Sequence, residues 1–250
     1  CYFLRDFNYN NIKEQVRVVT HENNNIIYET DRSMRINNSE VFIRDGRAKD
    51  ILKKIFKDNF ISIAQYISPL RPFGLRGYFS KSDKFKENQI GLEEPISCYA
   101  KGRKKGFVEK KDVLSHLEWI NNWKVFMPRA NNIGTELNDD NLNSFIGKPN
   151  EICTESYLVI GADLNLDEIS SLNLAKYMKT KFLRYLHSLL KSSQDATSKT
   201  FEFVPVQNFA NDSDIDWSKN IHDIDLQLYK KYDLTEDEIN YIENKIKNME

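Results

Sequence analysis

The feature that most constrains this chain is an apolar stripe at helical spacing, which begins near Leu172 and continues to Leu189. It predicts one long helix, opened by a capping pattern of Asn165 with Glu168, that packs one face against a core. The stripe consists of Ala175, Met178, Phe182, Tyr185, Leu186 and Leu189.

The side of this predicted helix opposite the stripe is basic. At about 100° per residue, Lys176, Lys179, Arg184, His187 and Lys191 fall there, and Asp195 is the nearby acid. We interpret this face as a candidate platform for phosphate groups. An ordinary solvated helix surface would show the same pattern.

The remaining elements predict a mixed α/β (α+β) fold in which helices pack on a mixed or antiparallel sheet. A β-rich pair at 16–20 and 26–28 predicts a hairpin, and 96–100, 123–127, 157–161 and 201–204 predict strands. Helical spacing at 47–56, 61–67, 221–232 and 235–246 predicts four more helices, the last two forming a helical tail.

A basic loop, Arg71-Pro72-Phe73-Gly74-Leu75-Arg76, separates two of these elements. Pro72 stiffens the loop, and Gly74 permits positive φ or close backbone approach. Such a loop can direct Arg71 and Arg76 towards phosphate or a guanine edge. A tight turn in which Phe73 fills the core is the alternative.

Three further segments carry basic, amide and hydroxyl side chains of the kinds that can contact a nucleic acid. The glycine-containing turn at 101–106 carries Lys101, Arg103 and Lys104, although a basic hairpin tip is also common on a solvated surface. A strand-to-loop segment carries Lys124, Arg129 and Asn131, and asparagine suits bidentate pairing with adenine. The polar turn after the long helix adds Gln194, Thr197 and Lys199.

Composition narrows the class of protein. With 40% hydrophobic and 12% aromatic residues, the chain is expected to fold, and its net charge of −1 argues against a generic polyanion binder. Basic residues concentrate at 101–111 and 176–199 and acidic ones at 212–225, which leaves room for a basic cleft. Three cysteines without a paired motif indicate a reducing compartment, and we expect a cytoplasmic protein with no membrane.

Several blocks of the sequence resemble one family. They are Lys179-Thr180-Lys181-Phe182, Gln194-Asp195-Ala196-Thr197, Phe203-Val204-Pro205 with Gln207, Cys153-Thr154-Glu155, Tyr157-Leu158-Val159-Ile160-Gly161 and the loop at 71–75. Together, in their order along the chain, these blocks are similar to the C-terminal, TaqI-like specificity domain of adenine-specific DNA methyltransferases from restriction-modification systems. The resemblance covers nearly the whole chain.

The resemblance implies a target recognition domain that reads a short sequence in double-stranded DNA. Residues 1–40 would end a methyltransferase catalytic domain, 41–210 would recognise DNA, and 211–250 would form the helical tail; an edge hairpin of the same domain is the alternative for 1–40. Lys176, Lys179, Arg184, Lys191 and Lys199 would contact phosphates, and Arg71, Arg76, Arg129, Asn131, Gln194 and Thr197 would face bases. The parent enzyme would use S-adenosylmethionine and could carry a fused endonuclease.

The chain itself shows neither a glycine-rich cofactor loop nor an Asn-Pro-Pro-Tyr type motif, so we expect no catalytic residue in it. The four histidines lie far apart without ligand spacing, and we expect no metal site. Two alternatives remain: an endonuclease segment using Glu109 and Lys111 of a Glu-x-Lys pattern, and a module that docks onto another protein.

Overall fold

The computed structural model describes residues 15–22, 24–36, 42–57, 59–130 and 143–248. Within these ranges the fold is mixed α/β, as predicted, with three small sheets and five α-helices. Short 3₁₀ turns connect several of these elements.

Eight strands form the sheets: β1 (Gln15–Glu22), β2 (Asn25–Ser33), β3 (Pro95–Ala100), β4 (Lys104–Glu109), β5 (Lys124–Pro128), β6 (Phe145–Gly147), β7 (Glu151–Cys153) and β8 (Tyr157–Ile160). The first sheet is the predicted antiparallel hairpin of β1 and β2. The second has the order β4-β3-β7, with β3 and β7 parallel, and the third has the antiparallel order β6-β5-β8.

The helices are α1 (Ala48–Ile55), α2 (Glu168–Tyr177), α3 (Lys181–Leu190), α4 (Ile221–Lys231) and α5 (Glu236–Lys245). Helices α4 and α5 are capped by the residues directly before them. The Asn220 side chain accepts from the Asp223 nitrogen, and the Thr235 side chain accepts from the Glu238 nitrogen. Across the part of the chain that the structure describes, every helix is too short or too polar to span a bilayer.

The third sheet separates two hydrophobic cores. Along β5, Val125 and Met127 face the larger core, which contains the helices, whereas Phe126 faces the smaller core against the second sheet. Strand β8 alternates in the same way, with Leu158 in the larger core and Val159 in the smaller one. This alternation has the period of two that a strand buried on both faces requires.

The prediction of one long helix between residues 165 and 191 is wrong. The segment forms α2 and α3, which meet at Thr180, because the Thr180 hydroxyl accepts from the backbone of Leu183 and starts a new helix. The Asp225 carboxylate assists by accepting from the backbone nitrogens of Lys181 and Phe182 at 2.9 and 2.8 Å. Helix α2 is capped by Asp167 with Ser170 rather than by the predicted Asn165.

Two other local predictions are also wrong. Residues 201–204 are not a strand: a 3₁₀ turn, Ser198–Phe201, is followed by a tight turn that buries Phe201 and Phe203 on the same side. Residues 61–67 do not form the predicted helix but only the 3₁₀ turn Ile63–Tyr66, because Ile67 is extended and forms a β-bridge with Ile160. In both cases contacts with distant strands and helices override the local pattern.

The tail that begins at residue 211 packs into the larger core. Trp217, Ile224 and Leu228 belong to the same cluster as residues of α2 and α3. A network around Asp45 ties α5 to the body of the fold, because its Oδ2 accepts from the Tyr241 hydroxyl at 2.9 Å and the Lys245 ammonium at 2.6 Å. Helices α4 and α5 therefore cover surfaces that α3 would otherwise expose.

Candidate nucleic-acid interface

The loops that carry most of the predicted DNA contacts meet at one end of the second and third sheets. Strands β3, β5 and β7 end there, and β4, β6 and β8 begin there, as their registers show. We call this surface the loop edge and define it by residues 71–77, 101–104, 129–130, 154–156 and 194–199. The loop edge is built from segments far apart in the sequence.

The turn at 154–156, between β7 and β8, joins these segments. The Thr154 nitrogen donates to the Tyr99 carbonyl at 2.9 Å, and the Glu155 nitrogen donates to the Leu75 carbonyl at 2.8 Å. The Ser156 carbonyl accepts from the Arg129 nitrogen at 3.0 Å. Three backbone hydrogen bonds thus fasten three separate segments to one turn.

The loop at 71–77 is rigid and presents two arginines. Phe73 is fully buried, which confirms the alternative of a tight turn that fills the core. Arg71 and Arg76 are exposed, so their predicted contacts with DNA stay a prediction. Gly74 has φ +78°, and a Cβ there would lie 2.6 Å from Leu114 Cβ, so the turn requires glycine. Because the backbone of this loop is already held in place, a ligand that binds the arginines has to order only their side chains.

Glu155 also holds this loop through its side chain. Its Oε1 accepts from the Gly77 nitrogen at 2.8 Å, and its Oε2 lies 3.9 Å from Arg71 Nε. The carboxylate therefore both fixes the loop backbone and partly neutralises Arg71.

The turn at 101–104 is held against the third sheet. Its Gly102 and Arg103 both have positive φ, and the Arg103 nitrogen donates to the Tyr157 hydroxyl at 2.8 Å. The Arg103 guanidinium lies 4.6 Å from the centroid of the Phe145 ring, while Lys101 and Lys104 are exposed. The turn therefore places three cations at the loop edge.

Lys179, in the α2–α3 turn, adjoins this basic turn. Burial lowers the pKa of Lys179, and the positive charge of Arg103 lowers it further. Two cations that repel each other in this way form a local positive potential, which favours an anionic partner.

Arg129 and the polar turn at 194–197 also lie together. The Ala196 nitrogen donates to the Arg129 carbonyl at 2.8 Å, and Arg129 Nε lies 3.7 Å from Asp195 Oδ1. Gln194 is exposed and Thr197 is half-buried. Lys199 is exposed one turn further along, and Asn131 lies outside the described residues.

The prediction that Lys124 contacts DNA is wrong, because this side chain is fully buried. Its Nζ donates to the carbonyls of Trp119, Ile120 and Asn122 at 2.9, 3.1 and 2.6 Å. Burial lowers the pKa of Lys124 to about 8. Its role is to bind backbone carbonyls inside the fold.

The prediction of a basic, phosphate-binding helix face is also wrong. Arg184, His187 and Lys191 are buried, because α4, α5 and the turn at 198–201 pack around α3. Burial lowers the pKa of Arg184 to about 10 and that of Lys191 to about 8, with Asp225 and Asp195 respectively opposing the shift. Lys176 is half-buried, and its ammonium donates to the Trp217 carbonyl at 2.6 Å.

Residues that the sequence did not single out as DNA contacts also shape the loop edge. Glu155 and Tyr157 position the loops, and Tyr78 is 70% exposed two residues after Arg76. Phe79 beside it packs on the smaller core, which orients Tyr78 outwards. For Tyr78 the sequence signal was an aromatic residue two positions after a basic loop, whereas Glu155 and Tyr157 belong to the blocks that resemble the family.

The residues of the alternative nuclease site are not arranged around a metal. Glu109 Oε1 and Oε2 accept from the backbone nitrogens of Glu93 and Glu94 at 2.7 and 3.2 Å. Among the described residues, no group of three His, Cys, Asp or Glu side chains is placed to hold a metal ion.

Comparison with models of protein families gives no match to this sequence, and comparison with curated proteins gives none either.

Proposed function

We propose that this chain recognises a short sequence in double-stranded DNA through the loop edge, as the target recognition domain of an adenine-specific methyltransferase of a restriction-modification system. The observation that carries the proposal is that hydrogen bonds fasten the 71–77 loop and Arg129 to the turn at 154–156, while the Tyr157 hydroxyl, at the start of β8, holds the backbone of Arg103. Sequence reading requires several side chains to be held in a fixed relation to one duplex.

Two kinds of contact follow from this arrangement. The exposed cations Lys101 and Lys104, together with Arg103 and Lys179, would neutralise backbone phosphates. Arg71 and Arg76, on the loop that Glu155 and the buried Phe73 hold in place, would donate in pairs to guanine, and Gln194 would contact adenine. Phosphate contacts supply affinity and register, whereas base contacts supply selectivity.

Tyr78 would add a stacking contact. An exposed aromatic ring on a short, rigid 3₁₀ turn beside basic residues can stack on a base that has left the helix. Stacking is not an ionic interaction, so its contribution should depend little on salt.

The proposed partners are double-stranded DNA and a methyltransferase catalytic domain in the cytoplasm. S-adenosylmethionine would bind to that catalytic domain, not to the described residues. The part played by this chain is to bind and orient the target DNA.

The direct test is DNA binding by the full chain carrying Arg71→Ala and Arg76→Ala together. On a mixed-sequence duplex these arginines meet phosphates rather than guanine edges, so we expect binding to weaken. Its dependence on salt should become shallower by about one unit of log–log slope, mainly through Arg76, because Glu155 already partly neutralises Arg71. The matched control is the double variant Lys53→Ala and Lys230→Ala, which removes two exposed cations from α1 and α4.

Fluorescence anisotropy at several salt concentrations would measure both quantities. Equal loss in the control variant would show that the effect is only one of net charge. Absence of salt-dependent binding in the unmodified chain would refute the proposal and favour the protein-docking alternative.

A further inference from the structure

Two arginines of the loop edge are paired with acids from neighbouring segments. Arg71 Nε lies 3.9 Å from Glu155 Oε2, and Arg129 Nε lies 3.7 Å from Asp195 Oδ1. All four side chains are partly exposed, so a ligand can reach both pairs.

Backbone contacts hold both acids at the loop edge. The nitrogen of Glu155 donates to the Leu75 carbonyl, and its Oε1 accepts from the Gly77 nitrogen. Asp195 forms a β-bridge with Ala130. The carboxylates therefore stay at this surface when an anionic ligand approaches.

We propose that Glu155 and Asp195 are specificity-determining residues that lower the affinity of the loop edge for DNA of arbitrary sequence. This inference rests on the proposed function. Binding to arbitrary DNA depends on the number of phosphates that cations neutralise. An arginine paired with a carboxylate contributes little net charge, and the carboxylate itself repels phosphate.

A matching sequence offsets this penalty. On a matching site, an arginine that leaves its carboxylate gains two hydrogen bonds to a guanine edge. Arbitrary DNA offers the same arginine a phosphate, but it does not place that phosphate beside the other base contacts. The acids therefore weaken arbitrary binding more than sequence-specific binding. Selectivity is a difference between two affinities, so weakening the competing one increases it.

The experiment uses the full chain with Glu155→Gln or Asp195→Asn. Glutamine keeps an oxygen for the Gly77 nitrogen, so the loop retains its backbone contact while the charge is removed. The matched control is Asp233→Asn, because Asp233 also pairs with a cation, Lys57 at 2.7 Å, but lies in the α4–α5 turn. Asn tolerates the positive φ of this position, which is +52°.

The measurement is binding to a mixed-sequence duplex by anisotropy. Each loop-edge variant should bind at least about threefold tighter at about 50 mM salt, with a log–log slope steeper by about 0.9. Between about 50 and about 200 mM salt, the gain in affinity over the unmodified chain should shrink about threefold, because the steeper slope weakens the variant faster. The control should match the unmodified chain, and circular dichroism should show that all variants are folded.

The outcomes separate this inference from the proposed function. If Arg71→Ala with Arg76→Ala weakens binding but neither acid variant strengthens it, this inference is refuted and DNA recognition stands. If no variant binds duplex DNA in a salt-dependent way, both are refuted. A gain in Asp233→Asn equal to that in the loop-edge variants would also refute the inference, because it would reflect net charge alone.

Discussion

Acid should destabilise this fold through His187, and the structure determines by how much. His187 is fully buried in α3, where its Nδ1 lies 3.1 Å from the Thr200 carbonyl and its ring stacks on Phe201 at 3.9 Å. Burial and the charge of Lys191 lower its pKa from 6.5 to about 3. The folded protein therefore keeps this imidazole neutral at pH values at which an unfolded chain protonates it.

The sign and size of the effect follow from linkage. A depressed pKa in the folded state means that stability is complete above the unfolded pKa of 6.5 and is lost as pH falls towards 3. At about 1.36 kcal/mol per pKa unit, lowering the pH from about 7.5 to about 5 should cost about 2 kcal/mol of unfolding free energy through His187 alone.

Other groups also titrate in this range, so the informative quantity is the difference between two proteins. His187→Asn keeps a donor near the position of Nδ1 but cannot be protonated. Urea unfolding of both proteins at about pH 7.5 and about pH 5 should show that the variant loses about 2 kcal/mol less. Equal losses in the two proteins would show that His187 is protonated in the fold, and would refute the reasoning.

Three further predictions concern single side chains. Lys124→Met removes the donor to the Trp119, Ile120 and Asn122 carbonyls, so it should lower the free energy of unfolding in urea by about 1–3 kcal/mol. The folded variant should bind DNA as the unmodified chain does. Weaker DNA binding at unchanged stability would contradict an internal role for Lys124. Gly74→Ala places a Cβ 2.6 Å from Leu114 at a residue with φ +78°. It should therefore lower the free energy of unfolding by about 1–3 kcal/mol and weaken DNA binding. Unchanged stability together with unchanged DNA binding would show that alanine is not strained at this position. Tyr78→Ala should weaken DNA binding by about 1–3 kcal/mol with an unchanged salt slope, whereas a shallower slope would indicate an electrostatic role instead.

Much of the local structure could be predicted because its causes lie within a few residues. The β1–β2 hairpin, the strands β5 and β8, and the helices α4 and α5 follow from alternation, helical spacing and caps such as Thr235 with Glu238. The 71–76 loop is of the same kind, since Pro72 and Gly74 restrict the backbone wherever the loop is placed. For these elements the sequence was a sufficient guide.

The side chains of α3 show where local reasoning ends. Helical spacing states which residues share a face, but not what packs on that face. Residues 198–201 and α4 come later in the chain, and once they cover α3, Arg184 and Lys191 lie inside the protein. The burial of Lys124 has a local cause instead, because the carbonyls it binds lie two to five residues earlier, in and just after the 3₁₀ turn Leu117–Trp119.

The sequence by itself determined the class of fold, the β1–β2 hairpin and the turn that carries the arginines of the 71–76 loop, because turn and strand preferences act over short distances. Only the tertiary structure decided which cations reach the surface and which loops meet. The turn at 154–156 contacts residues about 25 to 80 positions away, and those hydrogen bonds exist only when β3, β5, β7 and β8 take their register. The candidate interface is thus a product of strand pairing, and strand pairing depends on contacts that no short stretch of sequence contains.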